Sequence, residues 1–393
     1  MEGPRACNPD EVEEVFELIH GVFFPAGDRD VRNDYPLVYD PAVLNYRRIV
    51  KQDGRVVAHV PVAPRGVVAD EDRLTIGLIS ATLTHPDYRH RGFATLCLQD
   101  CVRIMEESEW PVSVLWTMER TFPFYQNSGW EPVASQGWVY RLGREDVDLF
   151  DQGSFQVVDS DLGDPEQLSW IIRTHDSESY RIERSVDEYK TLLSLPKTKT
   201  MFAIKKEAIT AYLTFGWSSN KPGIIEAGGS QAGVAALVSH ILENEIHDKT
   251  TQALVPLTDS VLGNLLEKKL PGRKHPIEEA AGVGQQMHRI NSLTGLLKQI
   301  QHHFQKKALE VEGVVNLSCK ESGESVSLCF EGGQFNFDTK TGADTIVLSR
   351  RELCQLIFGA HPSRQNPKIP GAPGKLLDSI FPFYFPIWEI DHC

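Results

Sequence analysis

The sequence is poor in several things, and each shortage narrows what the protein does. No apolar run approaches the ~20 residues needed to cross a bilayer, and the acidic start (Glu2, Asp10, Glu11, Glu13, Glu14) does not resemble a secretory leader, so a cytoplasmic protein is expected. Seven cysteines include no C-x-x-C pair, and thirteen histidines include no H-E-x-x-H. Neither a disulfide framework nor zinc chemistry is indicated, and no metal is expected. Basic charge is also short: 40 Lys and Arg face 54 Asp and Glu, a formal net charge of −14. That balance argues against broad nucleic-acid binding and is compatible with cationic substrates.

At 393 residues, 41% hydrophobic and 24% charged, the chain is an ordinary globular one, long enough for two or three domains. The stretch that organises it runs from Leu74 to Ser108. Leu74, Ile76, Leu78, Ile79, Ala81 and Leu83 form an apolar, β-rich run that stops at Thr84, His85 and Pro86. From Phe93 onward, Phe93, Cys97, Cys101 and Met105 recur every fourth residue, the mark of one helix face, and the two cysteines read as core thiols. Between strand and helix lie Arg89, His90, Arg91 and Gly92. Such a turn aims main-chain N–H groups and the positive end of the helix dipole at one spot. Two guanidinium groups there fit a diphosphate better than a single phosphate.

Arg89, Gly92 and Ala94, in the order R-x-x-G-x-A after a strand, resemble the acetyl-coenzyme A diphosphate loop of the GCN5-related N-acetyltransferase superfamily. The next strand, Val112 to Thr117, is followed by Phe124, Tyr125, Gly129 and Trp130, which resemble the superfamily's F-Y-x-x-x-G-[FW] signature. The resemblance covers roughly the first third of the chain.

Around this stretch, Asn8, Pro9 and Glu11 start a helix with a capping box, and Tyr46–Lys51 and Arg55–Val62 form a hairpin at Asp53-Gly54, with a further strand near Arg65–Val68. Residues 1–148 are thus expected to form a mixed, mostly antiparallel sheet with helices on both faces. Residues 149–312 repeat the plan: helices after Asp164 and Ser185, a hairpin at Met201–Lys206 and Ala208–Trp217, a strand at Gly223–Ala227, a helix at Gln231–Glu245 and a strand at Gln252–Leu257. This copy has no arginine in its Ala227–Gln231 turn and reads as degenerate. A single helix is expected over Ser292–Ala308, with His302 and His303 facing solvent. Strands between Val314 and Leu348 and a helix capped by Ser349 then make a small α+β domain over residues 313–393, which ends in a proline-rich strap and an apolar tail, Ile380 to Trp388, that must be buried.

The layout of two acetyltransferase-type α/β units and a small sterol-carrier-protein-like α+β domain resembles the enhanced intracellular survival family of N-acetyltransferases. The resemblance implies coenzyme contacts at Arg89, His90, Arg91, Gly92, Phe93 and Ala94, with pantetheine along Thr82, Leu83 and Thr84. It implies Tyr125 as general acid and the C-terminal carboxylate, here of Cys393, as general base; Glu389, Asp391, His392, Glu119 and the acids from Asp28 to Asp34 stand in reserve. It implies acetyl-CoA as co-substrate, a primary amine as acceptor, whether lysine or a polycationic small molecule, and a homo-oligomer, a hexamer by the same likeness. The alternative is a non-catalytic protein that senses acetyl-CoA or carries a lipid.

Overall fold

In a computed structural model of the chain, every residue is described except 26, 28, 29, 219, 220, 247–249, 258, 278–283, 338–344, 386, 388 and 393; residues 217, 218, 221, 389 and 392 are described by backbone alone. The described chain forms two compact units. The first gathers Met1–Arg32, Val38–Ala134 and Gly284–Tyr384, the second Asn33–Leu37, Ser135–Val283 and Phe385–Cys393.

In chain order the elements up to Pro132 are β1 (Glu2–Ala6), α1 (Val12–Phe23), α2 (Val31–Asp34), β2 (Arg47–Gln52), β3 (Arg55–Ala69), β4 (Asp72–Ile79), β5 (Leu83–Thr84), α3 (Phe93–Glu107), β6 (Val112–Thr117), α4 (Phe122–Gln126) and β7 (Glu131–Pro132). The hairpin arm and the further strand expected near Arg65–Val68 are one strand, β3, because its pairing passes without a break from β2 at Pro61 to β4 at Val62 and continues through Pro64. The apolar run after Leu74 is instead two strands. β4 pairs with β3 as far as Ile79, the chain steps away over residues 80–82, and β5 rejoins β3 at Leu83 opposite His59 and Thr84 opposite Ala58.

Helix α3 lies flat on this sheet. Cys97, Leu98, Cys101 and Met105 are fully buried on it, and burial pushes the Cys97 thiol up to about 12 and raises the Cys101 thiol well above its ordinary value, as inert core thiols require. The close approach depends on Gly77 of β4, where a Cβ would lie 2.2 Å from Met105 Sδ. A buried ion pair between Arg48 of β2 and Asp100 fixes the helix along its length.

The second unit contains β8 (Gly137–Gly143), β9 (Gln156–Asp159), α5 (Pro165–Asp176), β10 (Tyr180–Ile182), α6 (Val186–Leu193), β11 (Lys199–Lys205), β12 (Ala208–Ser218), β13 (Lys221–Gly229), α7 (Gln231–His240), β14 (Thr250–Pro256), α8 (Val261–Lys269) and β15 (Lys274–Pro276). Its sheet has the order β15-β8-β14-β13-β12-β11-β9, and α7 is buried on nearly every side, which explains why its sequence shows little amphipathic stripe. The helix expected to reach Glu245 keeps α geometry only to His240 and closes in a wider π turn over Ile241–Glu245.

The chain then returns to the first unit with β16 (Gln285–Ile290), α9 (Leu293–Gln299), α10 (Gln301–Lys307), β17 (Gly313–Cys319), β18 (Ser325–Glu331), β19 (Gln334–Asn336), β20 (Thr345–Leu348), α11 (Arg350–Phe358) and α12 (Gly371–Ile380). The first sheet has the order β1-β2-β3-β4-β6-β16-β7, so β16 is inserted between β6 and β7, which are consecutive strands in the chain. β17 to β20 form a separate sheet of order β19-β18-β17-β20. The single helix expected over Ser292–Ala308 breaks at Ile300 (φ −108°, ψ 33°), where the Asp72 carboxylate accepts from the His302 and His303 N–H groups. His302 is exposed as expected. His303 is not: it packs 5.3 Å from the Phe383 ring and bonds the Ile380 carbonyl.

Of the apolar tail, Ile380, Phe381, Phe383 and Phe385 are buried as expected, Pro382 is exposed, and Pro386 and Trp388 lie outside the described residues. Phe381 and Phe383 lie in the first unit, while Phe385 and Ile390 lie in the second, where Ile390 joins the cluster around Ile171, Tyr189 and Phe202. Among the described residues no helix is long and apolar enough to cross a membrane, no group of three or more His, Cys, Asp and Glu side chains is placed to hold a metal, and six buried cysteines stand unbridged.

Candidate active site

The site begins where two parallel strands part. β4 and β6 pair at Ile76–Val112, Gly77–Ser113 and Leu78–Val114 and no further, although β6 continues to Thr117. Over residues 80–84 the chain leaves β6 and leans on β3 alone, and among the described strands β5 has no partner on its other edge. Free main-chain groups on such an edge pair with an extended ligand as an added strand does. Crevices of this kind, at the carboxyl ends of parallel strands, are where α/β sheets bind ligands.

Above the gap the sequence Pro86–Gly92 makes the turn expected of it. Pro86–Tyr88 is a 3₁₀ turn, Arg89 is extended, and His90 (φ 61°) and Gly92 (φ 81°) take left-handed backbone conformations that bring the chain into α3. The Gly92 requirement is conformational, since a Cβ there would meet nothing within 4 Å. Among the described residues no side chain caps α3, so its first-turn N–H groups are free for an anion. Arg89, His90, Arg91 and Gly92 are exposed.

The two arginines point differently. Arg89 Nε donates to the Thr84 carbonyl at 3.4 Å, beside the gap. Arg91 donates to the Asp87 carbonyl at 3.3 Å, lies 5.1 Å from the Tyr88 ring centroid, and faces a cleft of about 670 Å³ between Glu14 and Glu17 of α1 and the β2–β3 hairpin. Phe93 is a core side chain, 6.5 Å from Tyr88, so only its main chain faces the loop.

Tyr125 closes the lower end. It sits in α4, buried between Phe124 (4.9 Å, edge-on) and Trp130 (6.4 Å, edge-on), with its hydroxyl beside the side chains of Thr82 and Thr117. Thr82 belongs to the stretch that leaves β6 and Thr117 is the last residue of β6, so the phenol spans the gap. Burial raises its pKa above the ordinary phenol value, with the two threonines pulling the other way. At neutral pH Tyr125 therefore carries its proton.

Three residues at or near this site have no conspicuous sequence signal. Thr117 looks like the end of any strand. Glu131, fully buried, accepts from Gln126 Nε2 (3.0 Å) and Gln355 Nε2 (2.8 Å) and pairs with Arg351 and Arg364, which pins the helix carrying Tyr125. His59, opposite Leu83, is fully buried 6.1 Å from the Tyr39 ring; desolvation and then the Arg47 charge push it down to about 3, so it is neutral. Their roles come from partners distant in sequence.

The expected bases are placed as follows. Cys393 and Asp28 lie outside the described residues, and the side chains of Glu389 and His392 are likewise not described. Asp391 belongs to the second unit, 1% exposed and bonded to Arg184 at 2.7 and 2.8 Å, so it is no free base. Asp30 pairs with Arg32 and His20. Glu119 is exposed one residue beyond Met118 at the end of β6.

Residues 4–133 match the family model described as an acetyltransferase (GNAT) domain. No curated protein matched the sequence significantly. Among solved structures, the chain resembles a GCN5-related N-acetyltransferase from Kribbella flavida (TM-score 0.69, 16% identity, covering 97% of this chain and 96% of that one). It also resembles one from Anabaena variabilis (0.66, 14%, 90% and 89%) and Eis1 from Mycobacterium abscessus (0.58, 14%, 90% and 89%). The GNAT fold supports transfer of an acyl group to an amine, and the family generally draws that group from acetyl-CoA. This chain carries a GNAT acetyltransferase domain at residues 4–133, within a mixed α/β architecture that follows the GCN5-related N-acetyltransferases over nearly its full length.

Proposed function

We propose that the protein is an acetyl-CoA-dependent N-acetyltransferase acting on a primary amine, with Tyr125 as general acid. The observation that carries this reading is the position of the Tyr125 hydroxyl, protonated and held between Thr82 and Thr117 at the parting of β4–β5 from β6, below the open first turn of α3. Acetyl-CoA supplies an acetyl thioester.

The main-chain N–H groups of Gly92, Phe93 and Ala94 hold the diphosphate with Arg89; Arg91 joins them by leaving its contacts with Tyr88 and the Asp87 carbonyl. The free edge at Thr82, Leu83 and Thr84 orients the pantetheine arm. Tyr125 Oη gives its proton to the departing sulfur, and Thr82 and Thr117 hold the phenol in line. An amine is mostly protonated near neutrality and must lose a proton before attack. The acceptor of that proton stays, by family likeness, the Cys393 carboxylate.

The same reading takes residues 313–393 as a sterol-carrier-like part, supported by the separate β17–β20 sheet, and the acceptor as a cationic molecule, supported by the net charge of −14. The test is release of free thiol from acetyl-CoA with a panel of polyamines, aminoglycosides and lysine peptides. Turnover with at least one is expected, and coenzyme binding without turnover on any amine would favour the sensor.

A further inference from the structure

The second unit repeats the parted strands without the phosphate chemistry. β13 and β14 run parallel but pair only at Gly223–Gln252 and Ile224–Ala253, after which each strand feeds a helix, α7 and α8. At this edge lies a cleft of about 410 Å³, all of its lining from the second unit. Two carboxyls, four hydroxyls and two carboxamides line it, and no lysine, arginine or histidine does. A coenzyme diphosphate would meet no cation there.

The charges around the cleft are unbalanced towards the negative. Glu226 of β13, 1% exposed, accepts from Arg184 Nη2 (2.6 Å) and the Tyr212 hydroxyl (2.9 Å), while Asp391 accepts from Arg184 Nε (2.7 Å) and Nη2 (2.8 Å), and Arg184 Nη1 has no hydrogen-bond partner among the described residues. Arg184 is thereby shared by two carboxylates. The Glu178 carboxyl, which lines the cleft above them, has no hydrogen-bond or ion-pair partner among the described residues. Across the cleft Asp259 Oδ1 accepts from Asn264 Nδ2, and its other oxygen has no partner among the described residues. An unpartnered carboxyl beside a buried carboxylate is costly unless a cation arrives. The N-termini of α7 and α8 at the same edge disfavour a bare cation and favour one that also carries hydrogen-bonding oxygen.

We propose that this cleft is a binding site for a small hydroxylated ammonium compound, its amine seated on Glu178 and Asp259 and its hydroxyls among the serine, threonine and carboxamide groups of the lining. The site needs neither coenzyme nor Tyr125, so it stands or falls separately from the acetyltransferase reading. Burial and then the Glu226 charge push the Glu178 carboxyl up to about 8, against the weaker pull of Arg184 and Arg181; Tyr212 and Asp259 are the other titratable groups that face it. A bound ammonium ion ionises Glu178, so binding releases a proton and strengthens with pH.

The test is calorimetric titration of the full chain with ethanolamine, which keeps its charge over the range, at pH 6 and pH 8 in buffers of different ionisation enthalpy. Ethylene glycol and inorganic phosphate serve as neutral and anionic controls. The expected result is binding that tightens by as much as ~50-fold between the two pH values, with close to one proton released at pH 6. Glu178→Gln should remove both the proton release and the pH dependence and weaken binding more than ~10-fold, and Asp259→Asn should weaken it several-fold. If Glu178→Gln fails to fold by circular dichroism, Asp259→Asn and the proton count of the unaltered chain decide. Ethanolamine binding that is undetectable, unchanged in both variants, matched by ethylene glycol or replaced by phosphate binding would overturn the proposal.

Discussion

Removing one oxygen atom, in Tyr125→Phe, tests the catalytic reading most sharply. The ring keeps its edge-on packing against Phe124 and Trp130. The threonines it leaves are not stranded, because Thr82 Oγ1 already donates to the Ser80 carbonyl (3.2 Å) and Thr117 Oγ1 is within 2.5 Å of Thr121 Oγ1. The cost in stability should therefore stay near ~1 kcal/mol, the net worth of an ordinary hydrogen bond. The cost in rate should be much larger: a positioned proton donor contributes ~10²–10⁴-fold, or ~2.7–5.4 kcal/mol of barrier. Measured by thiol release under saturating acetyl-CoA, kcat should fall by at least ~100-fold while KM for the coenzyme changes less than ~3-fold. Because burial holds the phenol pKa above its usual value, any loss of kcat from Tyr125 ionisation in the unaltered protein should set in at higher pH than ionisation of a free phenol. A variant within ~3-fold of the unaltered kcat would refute the acid role and leave Tyr125 as packing.

Other outcomes follow from the same geometry. Replacing Arg89 and Arg91 together by alanine should weaken acetyl-CoA binding more than ~10-fold, at ~1.5 kcal/mol or more for each charge-assisted contact, with equal affinity by calorimetry counting against the loop as the diphosphate site. Gly77→Ala drives a methyl group to 2.2 Å from Met105 Sδ and should destabilise by ~1–3 kcal/mol in urea, partly relieved by Met105→Ala in the same chain; an unchanged midpoint would mean α3 does not need that approach. His59 and His288 are held neutral, each pushed down to about 3 mainly by burial. Unfolding therefore takes up protons below their ordinary value near 6.5, so stability is complete above that pH and declines towards pH 3 by up to ~2.7 kcal/mol per unit for the pair. His59→Gln should halve that slope in acid unfolding curves, and an unaltered slope would place the acid sensitivity elsewhere.

Much of the fold could be read from local pattern. The fourfold recurrence of Phe93, Cys97, Cys101 and Met105 set α3, Ser185 and Ser349 with glutamates three residues on set the starts of α6 and α11, and Arg89 to Gly92 marked the turn between strand and helix. Pattern failed where a distant partner intervened. Nothing in Leu296 to Phe304 signals the break at Ile300, because it is made by Asp72 capping the second segment from 230 residues away. The acidic tail suggested reserve bases, yet Asp391 is tied to Arg184, 207 residues earlier, since a buried guanidinium needs carboxylates whatever their place in the chain.

By itself the sequence determined most of the strands and helices, which of their faces are apolar, and that an arginine-rich turn joins a strand to α3, because those properties rest on backbone preference and on side-chain period within a few residues. Only the tertiary structure decided that β16 pairs with β6, that Thr82 and Thr117 meet at one phenol, and that, among the described residues, β5 keeps a free edge and the Glu178 carboxyl stands without a hydrogen-bond or ion-pair partner. Periodicity states which side of an element is buried; which element covers it is settled by long-range packing and by the pairing of buried charge.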